Sequence, residues 1–394
     1  MKFIIEKKDF EEALRMTGKV AATGVALFSR LHVGNGRLTV KSTTGHLVLA
    51  CMQDVRTEDG GPMTEETDCY IDAKRLGAVV AELPEGSLTV SIGQVSANLD
   101  WNGGGCSFPV THDEPFPDRL VLGEDPEQPI RHISVPTTAL MKAFNKALPF
   151  LSEDDIRPVL GNVFFDVDGV GGVTAVGTDT QVLVTYSMTA ENAGGGAFQF
   201  LIPKTSAMVL RNILDKEAES LTIHCDGTVA ALQTGCYDMA MRCSDYRYPA
   251  YKTVMSNGGG AYTLTANRGE MLGAVRRIIA LTGMKLPADA VVLEIPDHGD
   301  KMTMRAQNLT DLSAAREVVA CSWNGPERKV AFRIQRLMGL LAGTDATTVS
   351  LMFDNPVRPV IFVPEEDGAS RGMIMPTQVI EEVDPAKKNK KGAK

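Results

Sequence analysis

Hydrophobic and polar residues alternate in three segments of the chain that follow the same plan. Segments 37–52, 173–188 and 301–316 each contain an alternating run, a turn with Thr, Asn or Asp, and a second alternating run. An alternation with period two predicts β-strands that bury one face. Other landmarks repeat at a similar spacing, since Phe116-Pro117 and Tyr248-Pro249 lie 132 residues apart. The pattern predicts one β-rich unit that is used three times.

Six other segments show the three-to-four-residue spacing of an amphipathic helix. They are 8–20, 72–82, 136–149, 204–215, 267–281 and 331–342. Asp72 and Thr137 stand at the start of two of these segments and are predicted to be N-caps. Because isolated helices alternate with runs of strands, we expect an α+β fold in which each repeat packs two helices on antiparallel sheet.

The repeat and the linker composition predict where the domains begin and end. Gly- and Pro-rich segments at 123–129 and 256–260 have the composition of linkers. The predicted domains are 1–128, 129–257 and 258–380. Segment 381–394 is basic and has no large apolar residue, which predicts a disordered tail.

Composition limits the class of protein. The chain has 394 residues, of which 44% are hydrophobic and 23% are charged, and its formal net charge is −9. No apolar run approaches the roughly 20 residues that span a bilayer. The seven cysteines form no CxxC pair and are odd in number, which favours reduced thiols over a disulfide framework or a zinc site. We expect a cytoplasmic protein with no metal and no cofactor, and no membrane partner.

Signals for catalysis are weak. The six histidines are scattered, the glycine triplets lack the Lys-Ser/Thr of a phosphate-binding loop, and there is no GxSxG motif. The sequence therefore predicts a protein that is not an enzyme. One alternative is a small-molecule hydrolase built on repeated α+β units, in which Asp179 is the acid of a plausible pocket.

The predicted helices of the second and third repeats carry mostly positive charge. Their cations are Lys142, Lys146, Lys204, Arg211, Arg268, Arg276, Arg277, Arg333 and Arg336. In a chain of net charge −9, the acids must concentrate in strands and loops. Cations without interleaved aromatic residues suit contact with the phosphates of duplex DNA, independent of base sequence.

Several motifs together resemble those of the bacterial sliding clamp, the β subunit of DNA polymerase III. The resemblance covers about residues 1–379. Its motifs are MKF at 1–3, LPEG at 83–86, TD at 178–179 followed by Leu183, IPK at 202–204, DYRYPAY at 245–251, NPVRPV at 355–360 and MIMP at 373–376.

The resemblance implies a head-to-tail homodimer that closes into a ring around double-stranded DNA and acts as a non-catalytic processivity factor. Its implied location is the cytoplasm, in association with the nucleoid. The implied interface residues are Phe108, Ile278 and Leu281. The same resemblance implies that Arg157 and Lys285 reach DNA, which adds them to the DNA-facing helix cations Lys142, Lys146, Lys204, Arg211, Arg276, Arg277, Arg333 and Arg336. An interaction scaffold of the same fold that does not enclose DNA is the alternative, because the helices of the first repeat carry balanced charge.

The resemblance also implies a hydrophobic cleft between the second and third domains. In the family this cleft receives short hydrophobic peptides of the replicative polymerase, the clamp loader and repair proteins. The matching positions are Leu160, Thr178, Val182, Leu183, Pro249, Thr253, Val254, Val357, Met373, Met375 and Pro376. Since Val182 and Thr253 stand where relatives can carry Arg, we expect a less basic rim and an altered peptide preference.

Overall fold

The computed structural model describes most of the chain. The described residues are 1–23, 28–60, 65–113, 116, 120–154, 156–194, 196–214, 218–256, 260–284, 289–355 and 358–378. Three of the sequence predictions, Lys285, Val357 and the tail at 381–394, lie outside them. The chain divides into two units, each described by itself below. Unit 1 comprises Met1–Met141, Asp166–Gly172 and Thr189–Asp245, and unit 2 comprises Lys142–Phe165, Val173–Met188 and the described part of 246–394.

The helices occur where the periodicity predicts them. They are α1 Lys7–Thr23, α2 Ala73–Ala81, α3 Thr137–Ala147, α4 Lys204–Ile213, α5 Tyr251–Ser256, α6 Arg268–Thr282 and α7 Ile334–Ala342. The short helix α5 was not predicted. Asp72 caps α2 as expected, because its carboxylate accepts the N–H of Arg75. The capping prediction for Thr137 is wrong: this residue is inside α3, and its buried hydroxyl has no hydrogen-bond partner among the described residues.

The strands confirm the alternating segments. They are β1 Lys2–Glu6, β2 Ser29–Gly34, β3 Arg37–Thr43, β4 Leu47–Asp54, β5 Thr67–Ile71, β6 Ser87–Ile92, β7 Ser96–Trp101, β8 Gly104–Pro109, β9 Arg131–Pro136, β10 Asn162–Val167, β11 Gly172–Thr178, β12 Val182–Thr189, β13 Asn192–Gly194, β14 Phe198–Pro203, β15 Ser220–Cys225, β16 Val229–Thr234, β17 Tyr237–Arg242, β18 Tyr262–Asn267, β19 Ala290–Ile295, β20 Lys301–Gln307, β21 Ala314–Trp323, β22 Arg328–Arg333, β23 Thr348–Phe353, β24 Val360–Pro364 and β25 Ser370–Ile374.

The order of these elements repeats three times. β1 to β8 with α1 and α2 follow the order strand, helix, four strands, helix, three strands. β18 to β25 with α6 and α7 follow it again, and β9 to β17 with α3 and α4 follow it with the short extra strand β13. The three alternating segments coincide with β3–β4, β11–β12 and β20–β21, which occupy equivalent places in the order. The threefold repeat is therefore confirmed, while the exact domain limits stay a prediction.

The described strand pairs of both units are antiparallel. Unit 1 contains one sheet of order β1-β6-β7-β8 and another of order β13-β9-β15-β16-β17-β4-β3-β2-β5. In the second sheet β17 of the second repeat pairs with β4 of the first, with Tyr237 opposite Cys51. In unit 2 the order is β10-β11-β12-β25-β24-β23-β18-β21-β20-β19-β22, and β12 pairs with β25.

Helices pack on the sheets in pairs. In unit 1, α1 contacts α2 closely because Gly18 and Gly77 stand at the contact: a Cβ on Gly18 would lie 3.1 Å from the Ala73 carbonyl oxygen. In unit 2, α6 packs on α7 and on β21. Leu337 and Phe332 have no exposed surface in the unit 2 core. Burial of such side chains supplies the main driving force for each unit.

The predicted linker at 123–129 is fixed at its start by a buried acid. The carboxylate of Asp226 accepts the N–H groups of Gly123, Thr228 and Val229, each at 2.8 Å. Burial acts to raise the pKa of Asp226, but these hydrogen bonds outweigh it and the pKa is lowered. The ionised carboxylate therefore stabilises this part of unit 1.

Candidate functional sites

The turn between β11 and β12 in unit 2 carries the first cleft residues. The Oδ1 atom of Asp179 accepts the N–H of Gln181 at 2.9 Å and of Val182 at 2.8 Å. The Thr178 hydroxyl donates to the Val182 carbonyl oxygen at 2.6 Å. Thr180 has a φ of +76°, which this tight turn imposes. Short polar side chains that bond their own backbone explain why the TD motif forms a turn here.

Pairing of β12 with β25 joins segments about 190 residues apart in sequence, counted from Leu183 and Met373. These two residues face each other across the strand pair. The N–H of Met375 donates to the Gln181 carbonyl oxygen at 2.8 Å and extends the contact beyond the ladder. The structure therefore brings together two motifs that the sequence assigned to one cleft.

The structure corrects the assignment of Val182. Successive side chains of a strand point to opposite faces of the sheet. Val182 and its partner Ile374 belong to the hydrophobic core of unit 2 and are 0% and 1% exposed. Leu183 and Met373 are not part of that core cluster. Leu183 and Met373 lie on the opposite face of the sheet from that core, and each is 4% exposed.

Helix α5 and the residues before it are held on β10 by aromatic rings. Tyr248 stacks on Phe164 with ring centroids 4.3 Å apart, and Tyr251 meets the same ring edge-on at 5.9 Å. Burial raises the pKa of the Tyr248 hydroxyl. Tyr248 and Tyr251 thereby fix the position of Pro249 and Thr253, which follow them closely in sequence. Pro249 and Thr253 are themselves exposed.

Leu160 lies in a short 3₁₀ turn, Pro158–Gly161, just before β10. Its carbonyl oxygen accepts the N–H of Ser152 at 3.0 Å, and the Asn162 side-chain amide donates to the carbonyl oxygens of Pro158 and Val159. The exposures of the cleft residues then differ. Leu160, Thr178, Leu183 and Met373 are buried, Val254, Met375 and Pro376 are half-buried, and Pro249 and Thr253 are exposed.

Arg336 on α7, expected from its position on a basic helix to face DNA, contacts the β11–β12 turn instead. Its Nε atom lies 2.5 Å from Oδ2 of Asp179, and the side chains of Arg336 and Asp179 are 36% and 6% exposed. The acid is thus nearly buried and neutralised by a partly exposed guanidinium. This contact argues against a free catalytic role for Asp179 and places a cation beside the turn that carries Thr178, a predicted cleft residue; no sequence pattern indicated it.

Lys146 is a second expected DNA-facing cation that forms an internal ion pair. Its Nζ atom lies 2.9 Å from Oδ2 of Asp367 and donates to the Gly343 carbonyl oxygen at 3.2 Å. The side chain is 11% exposed and passes over the ring of Tyr186. In the single chain the positive charge of Lys146 is therefore largely neutralised by Asp367 within unit 2.

Arg277 on α6 is exposed but also paired. It makes two parallel hydrogen bonds to Glu317 on β21, at 3.0 Å and 2.7 Å. The hydrogen bonds with Arg277 lower the pKa of Glu317 and raise that of Arg277. The other described cations that were predicted to face DNA all have solvent-exposed surface. Lys142, Arg157 and Arg276 are exposed, and Lys204, Arg211 and Arg333 are half-exposed.

The expected dimer residues differ in exposure. Ile278 is fully buried in the core of unit 2, and Phe108 is 6% exposed in unit 1. Leu281 on α6 is 64% exposed. The structure therefore corrects Ile278, which supports the helix from within the same chain. β8, which carries Phe108, is the end strand of its sheet.

A second strand edge lies in unit 2. Residues 314–320 of β21 pair with β20, whereas β18 pairs with the last three residues of β21. Within the described part of the chain, the other edge of 314–320 faces no strand. Val318 on this segment is 56% exposed, and α6 packs on the same strand. An open edge with an exposed apolar side chain suits addition of another chain, and no local sequence pattern indicated it.

None of the described helices is both long and apolar enough to cross a membrane. The described His, Cys, Asp and Glu side chains form no group of three or more that could hold a metal ion.

Comparison with known proteins extends the resemblance to the whole chain. No family model matches. The chain is 21% identical over 378 residues to the beta sliding clamp of Lactococcus lactis, covering 93% of this chain and 97% of that protein. The DNA polymerase III beta subunit of Thermotoga maritima and the DNA polymerase sliding clamp of Bacillus subtilis each match with a TM-score of 0.84 and 16% identity, over 96% of this chain and all of theirs. The resemblance indicated by the motifs is confirmed, and the chain has the fold of the bacterial DNA sliding clamps.

Proposed function

We propose that this protein is a DNA sliding clamp, a processivity factor that encircles duplex DNA and tethers the replicative polymerase to its template. The observation that carries the proposal is similarity along almost the full length of proteins named beta sliding clamp. The threefold order of elements supports it, because a ring needs repeated units. Its role is to hold other proteins on DNA, without catalysis, at the nucleoid in the cytoplasm.

The DNA-facing side chains are the cations with exposed surface in this chain. Lys142, Arg157 and Arg276 are exposed. Lysine and arginine contact phosphates without reading bases, so the attraction does not depend on sequence. A ring held by topology needs only such weak contacts, and the net charge of −9 keeps the remaining surface unattractive to DNA.

The ring closes through two different edges of the same chain. β8 is an end strand in unit 1, and residues 314–320 of β21 have an open edge in unit 2. Pairing β8 of one protomer with β21 of its partner is a heterologous contact, which can close into a ring. Val318 and Leu281, both exposed in the single chain, are then covered at the interface.

The second surface is a cleft for short hydrophobic peptides of the polymerase, the clamp loader and repair proteins. Leu183 and Met373 form its floor, and Met375 with its flexible thioether forms an adaptable wall. Arg336, neutralised by Asp179, stands beside it. We therefore propose that the rim is less basic, as Val182 and Thr253 indicated, so that an acidic residue next to the apolar anchors of a peptide adds little to its affinity.

Retention on DNA of different topology tests the function. The full-length protein is loaded with a bacterial clamp loader and ATP on nicked circular duplex DNA and then filtered in high salt. Encirclement predicts retention on the circle and loss after a restriction enzyme linearises it. Equal retention on both forms would falsify encirclement. Binding of peptides without retention on circular DNA would instead leave the scaffold of the same fold as the better account.

A further inference from the structure

Two cysteines from distant parts of the chain meet in unit 1. The Sγ atoms of Cys51 on β4 and Cys236 in the β16–β17 turn lie 3.2 Å apart, although the residues are 185 positions apart in sequence. The Cys51 thiol donates the hydrogen bond between them. The separation exceeds a disulfide bond of roughly 2 Å by little more than an ångström, which a small χ1 rotation removes.

The backbone around the pair also has the geometry that a disulfide requires. Cys51 stands opposite Tyr237, and the N–H of Met52 donates to the Cys236 carbonyl oxygen at 2.8 Å. Cys51 and Tyr237 are therefore a non-hydrogen-bonded pair, whose Cα atoms are about 4.5 Å apart. With the step from Tyr237 to Cys236, the Cα atoms of the two cysteines are about 5.6 Å apart, within the usual range for disulfides.

Cys236 differs from the other accessible cysteines. Of the cysteines that the structure describes, three are partly exposed: Cys106, Cys236 and Cys321. The hydrogen bond from Cys51 lowers the pKa of the Cys236 thiol, against the effect of burial. Burial raises the pKa of Cys106, and raises that of Cys321 to about 11. Cys236 thus combines access, thiolate character and a neighbouring thiol, as redox-active cysteines do.

We propose that Cys51 and Cys236 form a thiol–disulfide exchange site that low-molecular-weight disulfides, such as oxidised glutathione, convert into an intramolecular disulfide. The Cys236 thiolate attacks one glutathione sulfur, the bond between the two glutathione sulfurs breaks, and one glutathione leaves as thiolate. Cys51, which is fully buried, gives its proton to the departing glutathione thiolate and attacks the Cys236 sulfur, which releases the second glutathione. Two protein thiols are oxidised and one glutathione disulfide is reduced to two thiols.

The disulfide would fasten the end of the contact between β4 and β17. Those strands come from the first and second repeats, and their ladder ends beside Cys51. The same place is tied to α1, since the Tyr237 hydroxyl donates to the carboxylate of Glu12 at 2.8 Å. Oxidation therefore links residues 185 positions apart and restrains the pairing of β4 with β17. We expect this restraint to slow amide exchange at Met52.

Mass spectrometry of the folded, full-length protein treated with oxidised glutathione tests the proposal. Wild type should lose two hydrogens, yield a cross-linked peptide pair containing Cys51 and Cys236, and retain no glutathione on Cys236. Cys51→Ala should retain one glutathione on Cys236, and Cys236→Ser should show neither product. Before oxidation, iodoacetamide should modify Cys236 at least about tenfold faster than Cys106 or Cys321.

A second thiol pair in the same unit is the matched control. Cys225 and Cys243 have Sγ atoms 3.9 Å apart, but both are buried and out of reach of an oxidant. Cys225→Ala with Cys243→Ala should leave the cross-link unchanged. The proposal is overturned if wild type keeps glutathione on Cys236, if the cross-link forms only in urea, or if Cys236 reacts no faster than Cys321. Because all three of these outcomes are measured on the wild-type protein, a variant that fails to fold does not decide the result.

Discussion

Removing the charge of Asp179 is expected to destabilise unit 2 by about 2 kcal/mol, because its carboxylate serves both the backbone and Arg336. In Asp179→Asn the amide oxygen still accepts the N–H groups of Gln181 and Val182, but these bonds are no longer charge-assisted. The amide also turns a donor toward the guanidinium. Asp179→Ala removes the acceptor altogether and should cost about 4 kcal/mol.

Replacing Arg336, the other member of the ion pair, should destabilise unit 2 less than replacing Asp179. Arg336 is 36% exposed, so water already screens part of its attraction to Asp179. Arg336→Met keeps the apolar stem and leaves the acid with its two N–H donors, so we expect a loss of about 1 kcal/mol. Since Asp179→Asn and Arg336→Met remove the same contact, the double variant should cost about 1 kcal/mol less than the sum of the single ones.

Urea unfolding followed by tryptophan fluorescence can isolate unit 2. The chain has two tryptophans, Trp101 in unit 1 and Trp323, which is 4% exposed in unit 2. In a Trp101→Phe background the fluorescence change reports the surroundings of Trp323. The variants are compared in that background at equal protein concentration, because a dimer makes apparent stability depend on concentration.

The ion pair of Arg277 with Glu317 is the control. Its geometry is better than that of the pair in the turn, but Arg277 is 61% exposed. Arg277→Met and Glu317→Gln should therefore leave the unfolding midpoint unchanged within error. If Asp179→Asn lowers the stability no more than Glu317→Gln does, the contact of Asp179 with Arg336 does not stabilise the turn. The same conclusion follows if the stability losses of Asp179→Asn and Arg336→Met add up in the double variant.

Three further predictions concern the cleft, the interface and acid stability. Leu183→Ala with Met375→Ala should weaken a hydrophobic clamp-binding peptide by about 2 kcal/mol in titration calorimetry, and unchanged affinity would remove both from the cleft. Leu281→Lys with Val318→Lys should give monomers by light scattering, whereas a persisting dimer would place the interface elsewhere. Because the pKa of Asp226 is lowered on folding, its stabilisation is present above the usual value of 3.8 and is lost as the pH falls through the folded value. Asp226→Asn should therefore unfold at lower urea near about pH 7, and a difference that persists undiminished below about pH 3 would contradict this assignment.

The order of elements and part of the cleft could be predicted because they depend on local patterns. The alternating segments became β3–β4, β11–β12 and β20–β21. Leu183 and Met375 were assigned to one site from motifs far apart in sequence, and pairing of β12 with β25 brings those motifs together. Val182 could not be separated from Leu183 by motif alone, since only the register decides which of two neighbouring residues enters the core.

Helix α5 and the open edge of β21 lacked a local signal. Six residues are too few for the helical period to show, and α5 is held by rings, with Tyr251 against Phe164. The segment of β21 around Val318 alternates like any paired strand. Whether an edge is open depends on which other strands reach it, which is a property of the whole sheet.

The ion pairs show why a basic helical face overstates the charge that would be available to DNA in the proposed ring. Lys146, Arg277 and Arg336 were read from helical position, but their acids Asp367, Glu317 and Asp179 lie in strands and turns remote in sequence. A phosphate gains little from a cation that must first leave such a partner, and most from exposed Arg276 or Lys142. Fewer effective cations mean fewer released counterions and a weaker dependence of binding on salt. For a ring that moves along DNA, this weaker electrostatic binding favours sliding over attachment at one place.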